Sequence, residues 1–217
     1  MAVATVLLAS AALGLQHAAP PPRLRPCARA AVVLRADDAD GLPARIQTVI
    51  DNINEGEFGT RGEPWVFGQF GLLFGVLVAP ALPGLPALSS LLGLLAIASG
   101  GALAVSGAFD LGSNLTPWPK PVDASTLETG GAYALCRHPI YAGLLVACGG
   151  LSLLSASTER LVITLALYAL LNAKAREEEQ MLAAKHGEYG QWAEEVPRFF
   201  PPPRRLLERV GLSKPVE

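Results

Sequence analysis

The chain has 217 residues, of which 51% are hydrophobic and only 17% charged, with a formal net charge of −2. Ordinary soluble domains carry about 25% charged residues, so the deficit favours a membrane protein. A balance so close to neutral gives no electrostatic footprint for nucleic acid or any strongly charged partner. The three cysteines, Cys27, Cys136 and Cys148, show neither metal spacing nor a paired framework. No CxxC, HExxH or phosphate-loop pattern is present, so no metal site is expected.

The first acid is Asp37, and before it stand Arg23, Arg25, Arg29 and Arg35 among many alanines. An acid-free, arginine-bearing, alanine-rich start has the composition of an organelle transit peptide. The opening "VATVLLASAALGL" has the apolar core of a secretory signal. Together, residues 1–36 are expected to be a removable two-part leader directing the protein to a plastid membrane. A signal anchor in the endoplasmic reticulum membrane is the alternative.

Residues 37–63 are polar and mixed, a linker with a short helix around "ARIQTVIDNI". Four apolar stretches follow. "PWVFGQFGLLFGVLVAPALPGLP" and "ALSSLLGLLAIASGGALAVSGAFDLG" are each long enough for a hydrocarbon layer of roughly 30 Å. The third runs from Tyr141 to about Ser157. The fourth, from Leu161 to about Ala173, has no breaker before "KAREEEQMLAAKH", so one helix is expected to leave the bilayer and continue into water. A tight turn at "STER" makes the last two a hairpin.

The turn near residue 83 carries no Lys or Arg, and the other hairpin turn has only Arg160. The remaining basic residues of the mature chain fall in the linker, the 113–140 loop and after the fourth span, which places those regions on one side of the membrane. Gly71 and Gly75 form a GxxxG, and Gly100, Gly101, Ser106 and Gly107 crowd the second span. Such residues permit close helix packing in lipid. The expected fold is all-α: a polytopic membrane helix bundle with about four transmembrane helices, residues 64–203, and a C-terminal helical extension. Residues 204–217 form a tail.

A hairpin returns the chain to the side it left. Arg137, His138 and Tyr141 therefore meet Glu177, Glu178, Glu179, Tyr189 and Arg198 at one membrane face. Charges near a bilayer are costly unless they pair or bind something. Pro139 biases His138 toward an extended backbone and favours a helix start immediately after it. Free N–H groups at such a start, with the planar fork of Arg137, suit a carboxylate. A glutamate of the "EEE" run would accept hydrogen bonds from a ribose diol or an amino group. Read singly, these residues also suit interfacial anchors and a solvated helix face, with the glutamates offset by Lys174, Arg176 and Lys185.

In order, "GAY", "RHPIYAG", "EEQML", "HGEYGQW" and "RFFP" resemble the shared pattern of the isoprenylcysteine carboxyl methyltransferase and phospholipid N-methyltransferase group of integral membrane enzymes. "NLTPWPKP" upstream also resembles plant and algal members. The resemblance spans about residues 87 to 202. It implies S-adenosylmethionine as cofactor, bound by Arg137, His138, Tyr141, Glu178 and Glu179, and a lipid, prenylated or other hydrophobic acceptor, with Tyr189 and Arg198 as the catalytic candidates beside it. Two departures stand out. Trp192 replaces a tyrosine, and Ala134 stands where a basic residue is common, which bears on the acceptor rather than the cofactor. Sterol and steroid reductases, which use NADPH, share a similar Arg-His-Pro-x-Tyr segment and are the alternative enzyme class. A non-catalytic membrane assembly factor on the same scaffold is the alternative outside catalysis.

Overall fold

The computed structural model describes residues 42–81, 87–121 and 125–200. The expected leader over 1–36 and the tail over 204–217 lie outside the described residues. Six α-helices follow one another: α1 (Leu42–Asn54), α2 (Glu63–Val78), α3 (Ala87–Leu111), α4 (Pro139–Leu154), α5 (Thr158–Lys185) and α6 (Tyr189–Glu195). Short 3-10 turns occupy Gly112–Asn114 and Gly131–Ala134. Among the described residues there is no strand, so the fold is the expected all-α membrane helix bundle.

Its surface is apolar where that of a water-soluble bundle is polar. Phe67, Phe70, Phe74 and Leu77 stand exposed along α2, Leu91, Leu95, Val105 and Phe109 along α3, and Leu161, Val162 and Leu165 along α5. Contiguous exposed apolar surface on this scale marks contact with lipid or protein. The run Ser89–Asn114 is long and apolar enough to cross a membrane by itself, while α2 and α4 are shorter apolar helices. α2 falls short of its expected length because Pro80 turns Ala79 to an extended backbone (φ −58°, ψ 143°), as a residue before proline prefers.

The fourth stretch continues without a break into the charged run that follows it. α5 runs unbroken for 28 residues, about 42 Å at 1.5 Å per residue, longer than a hydrocarbon layer of roughly 30 Å. The turn before it lies slightly earlier than "STER". Ala156 takes a left-handed backbone (φ 49°), and Ser157 caps α5 by accepting from Arg160 N at 3.2 Å.

α3 and α4 pack along a glycine seam. A Cβ at Gly93 would stand 2.8 Å from Gly150 O, one at Gly100 2.6 Å from Gly143 O, and one at Gly107 2.8 Å from Pro139 Cγ. Gly93, Gly100 and Gly107 recur at every seventh position, a period that keeps one seam facing a neighbouring helix. Gly71 does not pack in this way; nothing lies near it, and Gly75 makes only ordinary contact with Ile163. Val76, Leu145, Cys148, Leu167 and Leu171 fill the core between α2, α4 and α5.

Candidate active site

Each polar segment is held by its local backbone. His138 is the residue preceding α4, with Pro139 as the first helical position and His138 at φ −129°. Arg137 N donates to Pro197 O at 2.9 Å and His138 N to Arg198 O at 3.0 Å. "RHP" and the "RFF" of the C-terminal motif are thus stitched together through the main chain. Upstream, Gly131 has a left-handed backbone (φ 55°), and a Cβ there would strike the carboxylate of Asp110. Asp110 accepts from Ala132 N at 2.6 Å, which fixes the turn that presents Tyr133.

His138 lies between the two glutamates of α5. Its Nδ1 is 3.4 Å from Glu178 Oε2 and its Nε2 3.1 Å from Glu179 Oε1. The ring stacks on Tyr141 with planes 1° apart and centroids 5.3 Å apart. Burial pushes the His138 pKa down, but the hydrogen bonds and charges of both carboxylates outweigh it and the net shift is upward. With a carboxylate at each nitrogen, the imidazolium is the matching form.

The two glutamates face different partners. Glu178 Oε1 accepts from the hydroxyl of Tyr141 and lies 4.0 Å from Lys174 Nζ, one turn back on α5. Glu179 is gripped by Arg198, with Nε 2.8 Å from Oε1 and Nη2 2.7 Å from Oε2, and Arg137 Nε stands 3.4 Å from Oε1. Burial raises the Glu179 pKa, but His138 and the two arginines more than reverse this and hold it at about 2. Arg198 also donates from Nη1 to Asn172 Oδ1 at 2.8 Å, and Arg137 from Nη1 to Ala193 O at 3.0 Å.

A half-open cavity of about 200 Å³ lies against this cluster. Arg137, His138, Tyr141 and Glu178 line it; Glu179, Tyr189 and Arg198 do not. Its roof is the loop after α3, with Thr116, Pro117, Trp118 and Pro119, and its far wall carries Tyr133 and Trp192. Tyr189 is buried edge-on to Trp192, and its hydroxyl finds no hydrogen-bond partner among the described residues.

Sequence reasoning missed Lys174, which it read as one of several charges offsetting the glutamates. The side chain is only 1% exposed. Nζ donates to Pro117 O in the roof at 2.9 Å and to Gln69 Oε1 on α2 at 3.1 Å, and sits 5.1 Å from the centre of the Tyr141 ring. Burial lowers its pKa against the pull of Glu178. The signal was the register: Lys174 precedes Glu178 by four residues, which puts both on one helix face. Asp110 gave no such signal.

Comparison with known proteins now adds to the geometry. The family model for phospholipid methyltransferase matches residues 88–189. Over that segment the chain is similar to phospholipid methyltransferases. That segment includes the roof, the His138 motif and both glutamates, and leaves Arg198 outside. The cobalt-zinc-cadmium resistance protein CzcN of Cupriavidus metallidurans is 40% identical over 81 residues, which cover 36% of this chain and 36% of that protein. The nickel-cobalt-cadmium resistance protein NccN of Alcaligenes xylosoxydans xylosoxydans is 33% identical over 79 residues, covering 36% of this chain and 37% of that protein. The chain thus spans little more than a third of the length of these curated relatives. Among the described residues, no group of three His, Cys, Asp or Glu side chains could hold a metal ion.

Proposed function

We propose that this chain is an S-adenosylmethionine-dependent methyltransferase acting on a lipid, prenylated or other hydrophobic acceptor at the membrane face. One observation carries the reading: Arg137, His138, Tyr141 and Glu178, from two segments that only the hairpin brings together, line one roofed cavity at the polar end of the bundle. Those residue types fit the cofactor. Glu178 is an acceptor for a ribose diol or an ammonium. Arg137 and a protonated His138 suit a carboxylate. Trp118, Tyr133 and Trp192 supply aromatic wall. When bound, S-adenosylmethionine supplies a methyl on a sulfonium, which passes to the acceptor oxygen or nitrogen and leaves a neutral thioether.

The protein's part is then alignment and exclusion of water, and alignment of this kind can be worth roughly 7–11 kcal/mol. A carboxylate acceptor, as in isoprenylcysteine, needs no base. An amine acceptor must shed a proton, and Glu178 is the carboxylate on the cavity side. Arg198 and Tyr189 take the acceptor side in this reading. Arg198 lies beside Asn172, and the neighbouring Tyr168 and Phe200 are exposed to the bilayer flank. The family match over 88–189 supports methyl transfer; a plastid or endoplasmic reticulum location stays open in it.

The test is calorimetric titration of the full chain in detergent with S-adenosylmethionine and with NADPH. Saturable binding of the first alone is expected. Saturable NADPH binding would move the protein to the reductases. Binding of neither by a folded sample would end the enzyme reading and favour the assembly factor.

A further inference from the structure

α1 has two faces that the fold treats differently. The inner face is fastened to the cavity roof. Asn52, buried, donates from Nδ2 to Ser113 O at 2.8 Å and to Leu115 O at 3.0 Å. Trp118 Nε1 donates to Ile53 O at 3.0 Å, and Arg61 Nη1 donates to the same carbonyl at 2.8 Å. The Arg61 guanidinium lies 4.5 Å from the centre of the Trp118 ring. At Gly62 a Cβ would stand 2.8 Å from Pro119 Cδ and closer still to its Cγ. The roof residues Thr116 to Pro119 therefore hang from α1 and from the turn that follows it.

The outer face is unpaired. Ile46, Ile50 and Ile53 are 51%, 44% and 38% exposed, and their i, i+4, i+7 spacing puts them in one stripe. Gln47 and Asp51 beside the stripe hydrogen-bond to each other at 2.9 Å. Asn52 joins α1 to Ser113 and Leu115, at the end of the apolar run Ser89–Asn114, and α1 leads within eight residues into α2, so it lies at the polar end of two apolar helices. The lipid-facing stripe of α2 starts at Phe67, one turn beyond Glu63. Trp118 lines the cavity and Trp65 lies in the first turn of α2, and tryptophans favour the membrane–water interface.

We infer that α1 is a membrane-surface helix whose isoleucine stripe sinks into the headgroup and acyl boundary on the cavity side, so that the bilayer holds the roof in place. That position, beside the ends of two apolar helices with exposed apolar side chains, favours the bilayer over a protein occupant. Arg45 and Asp51 offset each other, so apolar burial drives the contact and a zwitterionic bilayer suffices.

The test uses the full chain carrying Cys27→Ser, with buried Cys136 and Cys148 retained, in single-copy nanodiscs of phosphatidylcholine. Spin labels are placed singly through Ile46→Cys, Ile50→Cys, Ile53→Cys, Gln47→Cys and Asp51→Cys, each variant first shown to keep its thermal midpoint. Collision with oxygen reports lipid, and collision with a water-soluble nickel complex reports water. The oxygen-to-nickel ratio is expected to be about threefold higher at the three isoleucine positions than at 47 and 51, as for a helix lying in the interface. Equal nickel access at all five positions would overturn the inference. Protection of the stripe from both reagents would also overturn it, because another part of the chain would then be the cover. A ratio that appears only when anionic lipid is added would overturn the apolar mechanism. No cofactor is needed, so failure here leaves the transferase reading untouched.

Discussion

On one side of His138, Glu178 faces a cavity in the company of Tyr141 and Lys174. On the other, Glu179 is closed in by Arg198 and Arg137, and the "RFF" backbone runs alongside. Adjacent helical residues point about 100° apart, so one glutamate can serve a ligand while its neighbour serves the scaffold. His138 joins the halves and carries the state of one to the other. The pair shows that a doubled carboxylate in a motif can have two quite different surroundings.

Glu179→Gln tests the closed half and carries the largest expected effect. It strands two arginines and loosens the seam between residues 137–138 and 197–198. Removing one partner of a buried charged cluster costs about 3 kcal/mol at the low end. A matching fall in the denaturation midpoint in detergent is expected, with cofactor affinity of the folded fraction changed only severalfold. Glu178→Gln tests the open half. Stability should hold while S-adenosylmethionine binding weakens by about 100-fold, or about 2.7 kcal/mol. If both variants lost stability equally, the contrast between the halves would collapse.

The bridge between them titrates. The native pKa of His138 is raised, so the stability it contributes is complete below the unfolded value of about 6.5 and is lost as pH climbs through the native value. Glu179 works in the opposite window: its contribution is present above the unfolded value and is lost as pH falls through about 2. Midpoints measured from neutral to alkaline pH should therefore decline, and His138→Gln should flatten that decline. Arg198→Lys is the mildest change. It keeps the charge but loses the two-pronged grip on Glu179, a cost of about 1 kcal/mol, read as a small drop in midpoint.

Much of the meeting of segments was legible. Hydrophobic lengths and loop charge placed Arg137, His138 and Tyr141 at the same face as the glutamates, because a hairpin leaves no other arrangement. Which glutamate faced inward was not legible, since it depends on the rotation of α5 about its axis, set by packing at Leu167 and Leu171. Lys174 was misread because a lysine among charges suggests solvent, whereas Gln69 and the roof enclose it. The GxxxG at Gly71 drew attention by its spacing alone. The seven-residue recurrence of Gly93, Gly100 and Gly107 was equally visible, but only a partner helix with Gly143 and Gly150 opposite gives it meaning. The early end of α2 followed from Pro80, a breaker inside a run judged by apolar length.

The glycine seam has a mechanical consequence. With backbones closely opposed at Gly93–Gly150 and Gly100–Gly143, and Gly107 set against the Pro139 ring, α3 and α4 leave little side-chain cushion between them that could compress or slide. They act as the fixed jaw of a vise whose grip begins at Pro139, one residue from His138. Ligand exchange then falls to the other jaw: the polar half of α5, the roof, and the Lys174 strut that ties them to α2.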